Sequence, residues 1–568
     1  MKLITMLRTI VVLLGILVFN PSQAQEEKDY FITVWDLSLD KNNKFTSIEF
    51  YSLTTGDVNY TWETIPAGTS SSGKFSSNNQ QVTISNLPSN AKIRLKLVPQ
   101  NLKRFYFDWS YKLIDITQWG KVEWTSMEQA FKSCLNLNIT TTDVPDLTGV
   151  GSTKEMFIYC RKLNSPNNIN SWNTQNVTDM SGMFYEANSF NQPIGNWNTQ
   201  NVIDVSRMFI YANSFNQPIG NWNTQNVTNM SGMFQRAISF NQPIGAWNTQ
   251  NVKDLSGMFG GASSFNQPIG NWNTQNVTDM KYMFSRTNLF NQPIGEWNTQ
   301  NVTDMSQMFY EANSFNQPIG NWNTQNVTNM SYMFYGAGSF SQPLGNWNTQ
   351  NVKNMSSMFY GASSFNQPIG NWNTQKVTEM WHMFYKAKAF NQRLDSLELN
   401  PSIIFAYPNF QTEFMLDYCG IDCKNYSYTL IGWANNPNTP TNRVFGAAGL
   451  KYSTTAQAAR TILTKPVNEG GKGWTIEGDA LTTEDCGIIT NTLVANEEVG
   501  LGIYPNPTKS VLFIKNPSIG TSYKIIDAIG SVQSEGVLSQ EQISVSQLPA
   551  GLYTLLYRNN HFTFVKED

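Results

Sequence analysis

Residues 197–221 read WNTQNVIDVSRMFIYANSFNQPIGN, and the same 25-residue unit returns around nine tryptophans. The spacing of these tryptophans does not change from Trp172 to Trp372. A fixed period between 20 and 50 residues is typical of repeats that stack, because each unit buries its apolar side chains against its neighbours. The period therefore predicts an elongated stack with long surfaces.

The apolar residues of one unit follow a helical spacing. In the copy that starts at Trp172 they lie at offsets 0, 3, 6, 7 and 10, which indicates one face of a short helix; these residues are Val177, Met180, Met183, Phe184 and Ala187. Pro193 and Gly195 end this helix, and Ile194–Trp197 is predicted as a short strand. The fold class is thus predicted to be an α/β repeat solenoid with one short helix and one short strand per coil.

Composition changes along the chain predict seven segments. The regular repeats are flanked by two regions of alternating, β-rich sequence, which we interpret as an N-terminal and a C-terminal β-sandwich. The segments are a signal peptide (1–24), a β-sandwich (26–100), degenerate first repeats (101–171), regular repeats (172–396), a C-terminal cap (397–480), a linker (481–498) and a second β-sandwich (499–568).

The N-terminus has the pattern of a secretory signal peptide. Lys2 and Arg8 precede the short apolar run 10–19, and Ser22-Gln23-Ala24 forms a small-x-small cleavage site after Ala24. Export predicts an oxidising environment in which disulfides persist. No later run of apolar residues is long enough for a membrane span.

The chain has five cysteines, so at least one is unpaired. Cys419 and Cys423 are close in sequence and are candidates for a disulfide. Cys134 and Cys160 stand at the repeat position that Ala187 occupies, and we interpret them as small buried apolar side chains.

The repeat unit resembles the Met-Phe-rich repeats of BspA-like leucine-rich-repeat surface proteins, which include Mycoplasma lipoprotein-associated repeats. The residues that carry the resemblance are Val202, Met208, Phe209, Ala212, Phe215, Asn216, Gln217, Ile219 and Trp222 with their copies. The resemblance implies a leucine-rich-repeat-like solenoid and a role in adhesion or host contact. It brings no catalytic residues.

The tail resembles the C-terminal sorting domain of the type IX secretion system of Bacteroidetes. The matching residues are Tyr504, Pro505, Asn506, Pro507, Gly551, Tyr553 and Lys566. Thr563 stands where that family usually has Lys. The resemblance implies the type IX secretion machinery as a partner, removal of the tail, and release or surface attachment. The region 26–100 resembles a PKD-type or immunoglobulin-like domain.

Catalytic and metal chemistry has little support in the sequence. The net charge is −3 with 14% charged residues and no basic block, which argues against nucleic acid as a partner. The two histidines, His382 and His561, are too few for a multi-histidine metal site. We therefore predict no enzyme, no catalytic residue, no metal site and no cofactor.

One repeat position alternates between Asp and Asn. We interpret its carboxylates as first-turn helix residues that meet the helix dipole, and a calcium-binding row is the alternative. The position is held by Asp179, Asp204, Asn229, Asp254, Asp279, Asp304, Asn329 and Asn354.

Two positions of the repeat vary freely and are four residues apart, so the predicted helix places them on one outward face. Exposed Tyr and Arg at such positions favour recognition, whereas simple drift on a solvated face is the alternative. The candidate ligand-binding residues are Arg207, Tyr211, Arg236, Tyr282, Arg286, Tyr332 and His382. A second candidate row is polar and contains Asn196, Asn221, Ala246 and Glu296.

These observations favour a secreted or surface-attached adhesion module that binds an extracellular protein or glycan. The alternative is a structural surface or matrix spacer without a specific ligand.

Overall fold

The computed structural model describes residues 27–39, 46–407, 410–488, 502–504, 508–515, 517–527, 531–557 and 560–567. The predicted signal peptide, with its cleavage residue Ala24, and most of the predicted linker 481–498 lie outside the described residues. The chain separates into two compact units, Met1–Ile488 and Ile489–Asp568.

Two sheets with a shared core open the first unit. Their order is β4-β3-β6-β1-β8-β9 and β5-β2-β7, antiparallel except for the parallel pair β8-β9. The strands are β1 Phe31–Asp36, β2 Ile48–Thr54, β3 Val58–Ile65, β4 Ser70–Phe75, β5 Asn78–Ile84, β6 Lys92–Leu97, β7 Leu102–Tyr106, β8 Leu113–Gln118 and β9 Asn138–Ile139. The rings of Phe31 in β1 and Phe105 in β7 meet across the sheets at 5.1 Å. Both sheets continue past residue 100, the predicted boundary, because β7 and β8 complete them.

The prediction of an α/β repeat solenoid is wrong. Residues 172–396 contain no helix, and the predicted strand at Ile194–Trp197 is a turn. Each regular repeat is a run of turns with one isolated parallel bridge to the next repeat, as between Asp179 and Asp204 or between Asp279 and Asp304. Further backbone hydrogen bonds also join neighbouring repeats. Named strands form small separate sheets, and the described residues contain only two α-helices, both in the cap.

The backbone hydrogen bonds explain why helical spacing does not produce a helix. The N–H of Met183 donates to the carbonyl oxygen of Met180, three residues back, at 3.2 Å. The N–H of the next residue, Phe184, instead leaves the coil and donates to Met208 of the following repeat at 2.9 Å. Successive three-residue turns and an α-helix both bury residues that are three or four positions apart. The offsets thus predicted the buried residues correctly and their local structure wrongly.

Identical side chains stack from one repeat to the next. Phe184 and Phe209 lie 5.6 Å apart with rings 7° from parallel, and Trp197 and Trp222 lie 6.3 Å apart at 6°. The indole N–H of Trp222 donates to the carbonyl oxygen of Ile194 at 3.0 Å, which gives the buried donor a partner. One continuous apolar core runs from the N-terminal sheets through the repeats into the cap.

A row of asparagines inside the turns satisfies backbone groups. The N–H of Asn216 donates to Oδ1 of Asn191 at 3.0 Å, and Nε2 of Gln217 donates to the carbonyl oxygen of Asn191 at 3.0 Å. Similar bonds recur at later repeats, for example from Asn241 to Asn216 at 2.9 Å.

The cap contains short strands and both α-helices. These elements are β10 Ala406–Tyr407, β11 Phe410–Phe414, α1 Cys423–Asn435, β12 Val444–Gly446, β13 Lys451–Ser453, α2 Gln457–Thr464, β14 Thr475–Glu477 and β15 Ala480–Thr482. Asp422 caps α1 by accepting the N–H of Asn425 at 2.8 Å. Trp433 and Trp474 are buried and lie 5.8 Å apart, as expected for core residues. No described helix has both the length and the apolar character that a membrane span requires.

The cysteines pair differently from the candidate pair Cys419–Cys423. Cys423, at the start of α1, is bonded to Cys486, and the disulfide closes a separation of 63 residues. Cys419 is a free thiol whose pKa burial raises to about 12. Cys134 and Cys160 are free and fully buried, in agreement with their interpretation as apolar side chains, and burial raises the pKa of both thiols. Sequence proximity misled here because the chain folds back and brings residue 486 to α1.

The second unit consists of two antiparallel sheets, ordered β16-β17-β20 and β19-β18-β21-β22. Their strands are β16 Gly502–Tyr504, β17 Val511–Lys515, β18 Ser522–Asp527, β19 Val532–Val537, β20 Gln542–Ser544, β21 Gly551–Tyr557 and β22 Asn560–Lys566. Leu512, Ile525, Leu555 and Phe564 lie in its separate core.

Candidate functional site

The two variable positions of the repeat share a left-handed backbone. We name the first one the A position and the second one, four residues later, the B position. Every residue at either position has φ between +52° and +75°. The A positions are 182, 207, 232, 257, 282, 307, 332, 357 and 382, and the B positions are 186, 211, 236, 261, 286, 311, 336, 361 and 386. The predicted outward helix face does not exist, yet both positions project from the turns on one side of the stack.

Left-handed backbone makes side chains at these positions costly. A residue other than Gly loses about 1–2 kcal/mol in this conformation because its Cβ crowds the backbone. The N–H groups of the A positions from 182 to 357 help to fix the conformation, because they donate to the next repeat. That of Arg207 donates to the carbonyl oxygen of Ser231 and that of Tyr332 to the carbonyl oxygen of Ser356, both at 2.8 Å. The glycines at several A and B positions are therefore the residues the backbone prefers.

This cost can be measured with two glycines of adjacent repeats. Gly361, a B position with φ +62°, has no atom within 4 Å of an added Cβ, so Gly361→Ala tests the backbone alone. Gly338 is not in the left-handed region and would place its Cβ 3.6 Å from Ser363. We expect Gly361→Ala to lower the free energy of unfolding by about 1–2 kcal/mol, and Gly338→Ala to leave it unchanged or raise it by up to about 1 kcal/mol. Equal effects in urea unfolding would refute the backbone argument.

Three glycines in one repeat open a hollow on this side of the stack. Gly257 and Gly261 are the A and B residues of that repeat, and Gly260 lies between them. Other repeats hold Ile210, Gln235, Tyr310 or Tyr335 at the position of Gly260, which we name the C position. The missing side chains leave a gap that larger residues of neighbouring repeats surround.

The gap consists of two neighbouring hollows that share lining residues. One part has a volume of about 470 Å³ and is lined by Gln235, Arg236, Gly260, Gly261, Tyr282, Ser285, Arg286, Gln307, Tyr310 and Tyr332. The other has about 390 Å³ and is lined by Arg207, Ile210, Ser231, Gly232, Gln235, Asp254, Ser256, Gly257, Lys281 and Tyr282. Gln235 and Tyr282 belong to both parts, so we treat them as one groove.

The groove offers guanidinium groups beside aromatic rings. Arg236 lies over the ring of Tyr211 at 5.1 Å, and Arg286 lies over Tyr310 at 5.3 Å. Arg286 also pairs with Glu311 at 3.0 Å. Arg207 and Arg236 are exposed and form no ion pair within the described part of the chain. Two charged donors thus remain for a ligand.

Tyrosine side chains line one end of the groove and continue beyond it as a row of stacked rings. The hydroxyl of Tyr282 accepts a hydrogen bond from Nε2 of Gln307 at 2.7 Å. Burial is the main cause that raises the pKa of Tyr310, followed by the charge of Glu311. Tyr310, Tyr335 and Tyr360 stack in succession, with ring centroids 4.6 and 4.3 Å apart. The ring row gives this side a continuous half-buried aromatic surface.

Most of the predicted ligand residues meet in this groove. It is lined by Arg207, Arg236, Tyr282, Arg286 and Tyr332. Tyr211 lies next to it as the ring beneath Arg236. His382 is not among the lining residues: it packs 5.2 Å from Trp381, whose ring is 5.6 Å from Tyr332.

Sequence reasoning missed the C position, which supplies Gln235, Gly260, Ser285 and Tyr310, and it also missed Lys281. The C position varies between repeats as freely as the A and B positions, and that variability was the signal that could have found it. The C position lies three residues after the A position, so the predicted helix places it on the same outward face. The selection considered only the two positions that are four residues apart and therefore overlooked it.

The side chains at the Asp/Asn position accept backbone hydrogen bonds within the turns. Oδ1 of Asp179 accepts the N–H of Ser181 at 2.8 Å, and Asp279 does the same for Lys281 at 2.9 Å. The helix that these carboxylates were predicted to begin is absent. Lys281 contacts Asp279 at 2.8 Å, and this hydrogen bond raises the pKa of Lys281. Among the described residues no group of three His, Cys, Asp or Glu side chains is placed to hold a metal ion.

Of the alternative polar row, Asn196 is exposed and its N–H donates to Oδ1 of Asn170 at 2.8 Å. Asn221, Ala246 and Glu296 lie in the corresponding turns of later repeats. Neither part of the groove includes these residues.

The sorting-motif residues lie in the second unit. Tyr504 ends β16, whereas Pro505, Asn506 and Pro507 lie outside the described residues. Gly551 begins β21, and the buried Tyr553 donates its hydroxyl to the carbonyl oxygen of Pro549 at 2.9 Å. Lys566 ends β22 and is buried.

Comparison with known families identifies the repeats and the tail. Residues 125–244, 217–318 and 288–397 match the family described as Mycoplasma protein of unknown function, DUF285. Residues 502–567 match the secretion system C-terminal sorting domain. No curated protein and no solved structure matches the chain.

The chain is thus a repeat protein with a type IX sorting tail, which points to secretion or attachment at the cell surface. The tail fits an interaction with the secretion machinery. The leucine-rich-repeat assignment and the signal peptide stay predictions.

Proposed function

We propose that the protein is an extracellular binding module whose repeats present the A, B and C positions to a protein or glycan ligand, and that it acts in adhesion. The groove around Gly260 is the observation that carries this proposal. Its larger part sets polar side chains beside three tyrosine rings and has a volume of about 470 Å³, within the range of about 300–1,000 Å³ that ligand sites commonly have.

The backbone conformation argues against random variation as the source of the side chains at the A and B positions. Arg207, Tyr282 and Tyr332 have φ values of +58°, +60° and +57°, although Gly fills the same position in other repeats without strain. Strained residues that persist where a relaxed one is available are typical of functional sites. The same strain occurs at Glu186, Ser357 and Lys386 outside the groove, so it supports a role for the A and B positions along the whole row of repeats.

A groove-filling variant tests the proposal. The exported full-length chain is applied to an array of glycans and extracellular-matrix proteins, beside Gly260→Tyr. Tyr310 and Tyr335 stand at the same C position in other repeats, so a Tyr side chain is compatible with the turn. We expect a saturable hit that weakens at least about tenfold in Gly260→Tyr, because the new ring occupies the ligand's space.

Arg161→Ala is the matched control. Arg161 is exposed and pairs with Glu186 at 2.7 Å, outside the groove, so its loss should leave binding unchanged. Double replacement of Arg207 and Arg236 by Ala should weaken binding and flatten its dependence on salt. A blank array with a folded chain, or a hit indifferent to Gly260→Tyr, would favour the spacer. That the protein is not an enzyme stays part of this proposal.

A further inference from the structure

The loop between β7 and β8 carries an unusually exposed tryptophan. Trp109 is 60% exposed, whereas the repeat tryptophans 172–372 are at most 4% exposed. The apolar area of this ring remains in contact with water, so the ring is accessible to a partner. The groove around Gly260 does not include it.

Hydrogen bonds hold the backbone of the loop that follows Trp109. The N–H of Ser110 donates to Ser133 at 3.3 Å, and the N–H of Asp36 donates to Lys112 at 2.8 Å. Nδ2 of Asn136 donates to the carbonyl oxygen of Tyr111 at 3.0 Å. The backbone beside Trp109 is therefore fixed to the N-terminal sheets and to the first repeats.

Trp109 and Tyr111 form the corner of a small hollow. Their ring centroids are 4.7 Å apart and their planes meet at 66°, so they make two walls. The hollow has a volume of about 160 Å³, and its remaining lining is Trp35, Glu49, Ser110 and Lys112. This volume is below the ~300–1,000 Å³ of sites for drug-sized ligands. It therefore admits one ring at the end of a larger molecule.

The rim of the hollow is polar and positioned. Oε1 of Glu49 accepts a hydrogen bond from the hydroxyl of Ser47 at 3.0 Å, and Nζ of Lys112 donates to the carbonyl oxygen of Ser47 at 3.3 Å. A carboxylate and an ammonium thus stand on the same side of the aromatic corner. The carboxylate can accept a hydrogen bond from a ligand hydroxyl group, and the ammonium group can donate one to it.

We infer that this hollow, lined by Trp109, Tyr111, Glu49 and Lys112, is a second binding site that takes the terminal pyranose ring of a glycan. The C–H face of a sugar packs on an aromatic ring, whose face is electronegative. Its hydroxyl groups meet the rim. A lipid chain would gain nothing from the two charges, and a peptide helix is too wide for the hollow.

Affinity electrophoresis of the full-length chain tests the inference. Native gels contain one soluble polysaccharide each: xylan, laminarin, mannan, dextran or polygalacturonate. We expect at least one of them to retard the chain, and Trp109→Ala to weaken that binding by about 30-fold, the usual loss when an aromatic anchor is truncated. Trp109→Tyr keeps an aromatic wall and should retain most of the affinity.

Two control variants distinguish binding at this hollow from binding elsewhere on the chain. Tyr418→Ala removes another exposed aromatic ring, in the cap, and should not change the retardation. Gly260→Tyr fills the groove of the repeats and should not change it either, so the two proposed sites fail or succeed separately. The inference is overturned if no polysaccharide retards the chain, or if Trp109→Ala is retarded as strongly as the unaltered chain while its thermal unfolding is unchanged.

Discussion

Phe284→Ala is expected to lower the free energy of unfolding by about 3–5 kcal/mol, the usual cost of removing a fully buried Phe. Phe284 is 0% exposed and stacks on Phe290 of its own repeat at 4.0 Å. It also meets Phe259 at 5.8 Å and Phe309 at 5.7 Å in the repeats on either side. One truncation therefore removes contacts in three repeats.

The cavity left by this truncation cannot collapse easily. The N–H of Phe259 donates to the carbonyl oxygen of Met283 at 3.0 Å, and that of Phe284 donates to Met308 at 2.9 Å. These bonds hold neighbouring repeats at a fixed spacing, so the void persists, and persistent voids make truncation expensive.

Urea unfolding followed by tryptophan fluorescence measures the effect. Leu289→Ala is the control within the same repeat, because Leu289 is 55% exposed and its loss should cost little. If both variants unfolded at the same urea concentration, the stacked core would not carry the stability that we assign to it.

Asp479→Ala is expected to cost about 3 kcal/mol, within the range for removing one partner of a buried ion pair. The side chain of Asp479 is 1% exposed and that of Arg460 is 25% exposed. Arg460 binds the carboxylate with two hydrogen bonds, from Nε at 2.8 Å and from Nη2 at 2.7 Å. The variant leaves the guanidinium group of Arg460, a residue of α2, without its negatively charged partner.

The same carboxylate accepts the hydroxyl of the fully buried Tyr426 at 3.0 Å. Burial first, and then the charge of Asp479, raises the pKa of Tyr426 well above its usual value. Because the folded state favours the neutral phenol, this group stabilises the fold below the unfolded pKa of about 10 and loses that contribution as pH rises further. Stability of the unaltered cap should therefore fall in alkaline solution.

Thermal and urea unfolding at pH 7 measure the effect of Asp479→Ala. Asp57→Ala is the matched control, since Asp57 forms an exposed pair with Lys74 at 2.6 Å and such pairs contribute less than about 1 kcal/mol. A loss in Asp479→Ala no greater than in the control would mean that Arg460 and Tyr426 find other partners.

Several elements of the fold were readable from local sequence. Alternating patterns predicted β-rich sequence in the two regions that contain, among other strands, Phe31–Asp36, Ile48–Thr54 and Gly551–Tyr557. They missed β4, whose sequence Ser70–Phe75 is mostly polar, and α1, because its short apolar pattern is weak. Local patterns reveal elements with one clear apolar face and overlook those whose burial depends on distant contacts.

The candidate site shows the same division. Variable Arg and Tyr residues selected five of the groove's lining residues, although the helix that justified the selection does not exist. The groove is deep because one repeat has glycines where the neighbouring repeats have larger side chains. This difference forms a groove only when the repeats lie side by side, so it could not be predicted from one repeat alone. His382 was selected by its position alone and lies beyond the groove.

By itself, the sequence determined the period, the buried residues and the columns of equal side chains, because burial depends on side-chain chemistry that repeats with the chain. Tertiary structure decided where the backbone hydrogen bonds go. Helical spacing is compatible with an α-helix and with a run of turns. In the repeats of this protein, backbone N–H groups donate to the third residue back or to the next repeat, instead of to the fourth residue back. The left-handed positions, the groove and the disulfide partner of Cys423 were therefore visible only in the tertiary structure. Each of them depends on which distant segments the fold brings together.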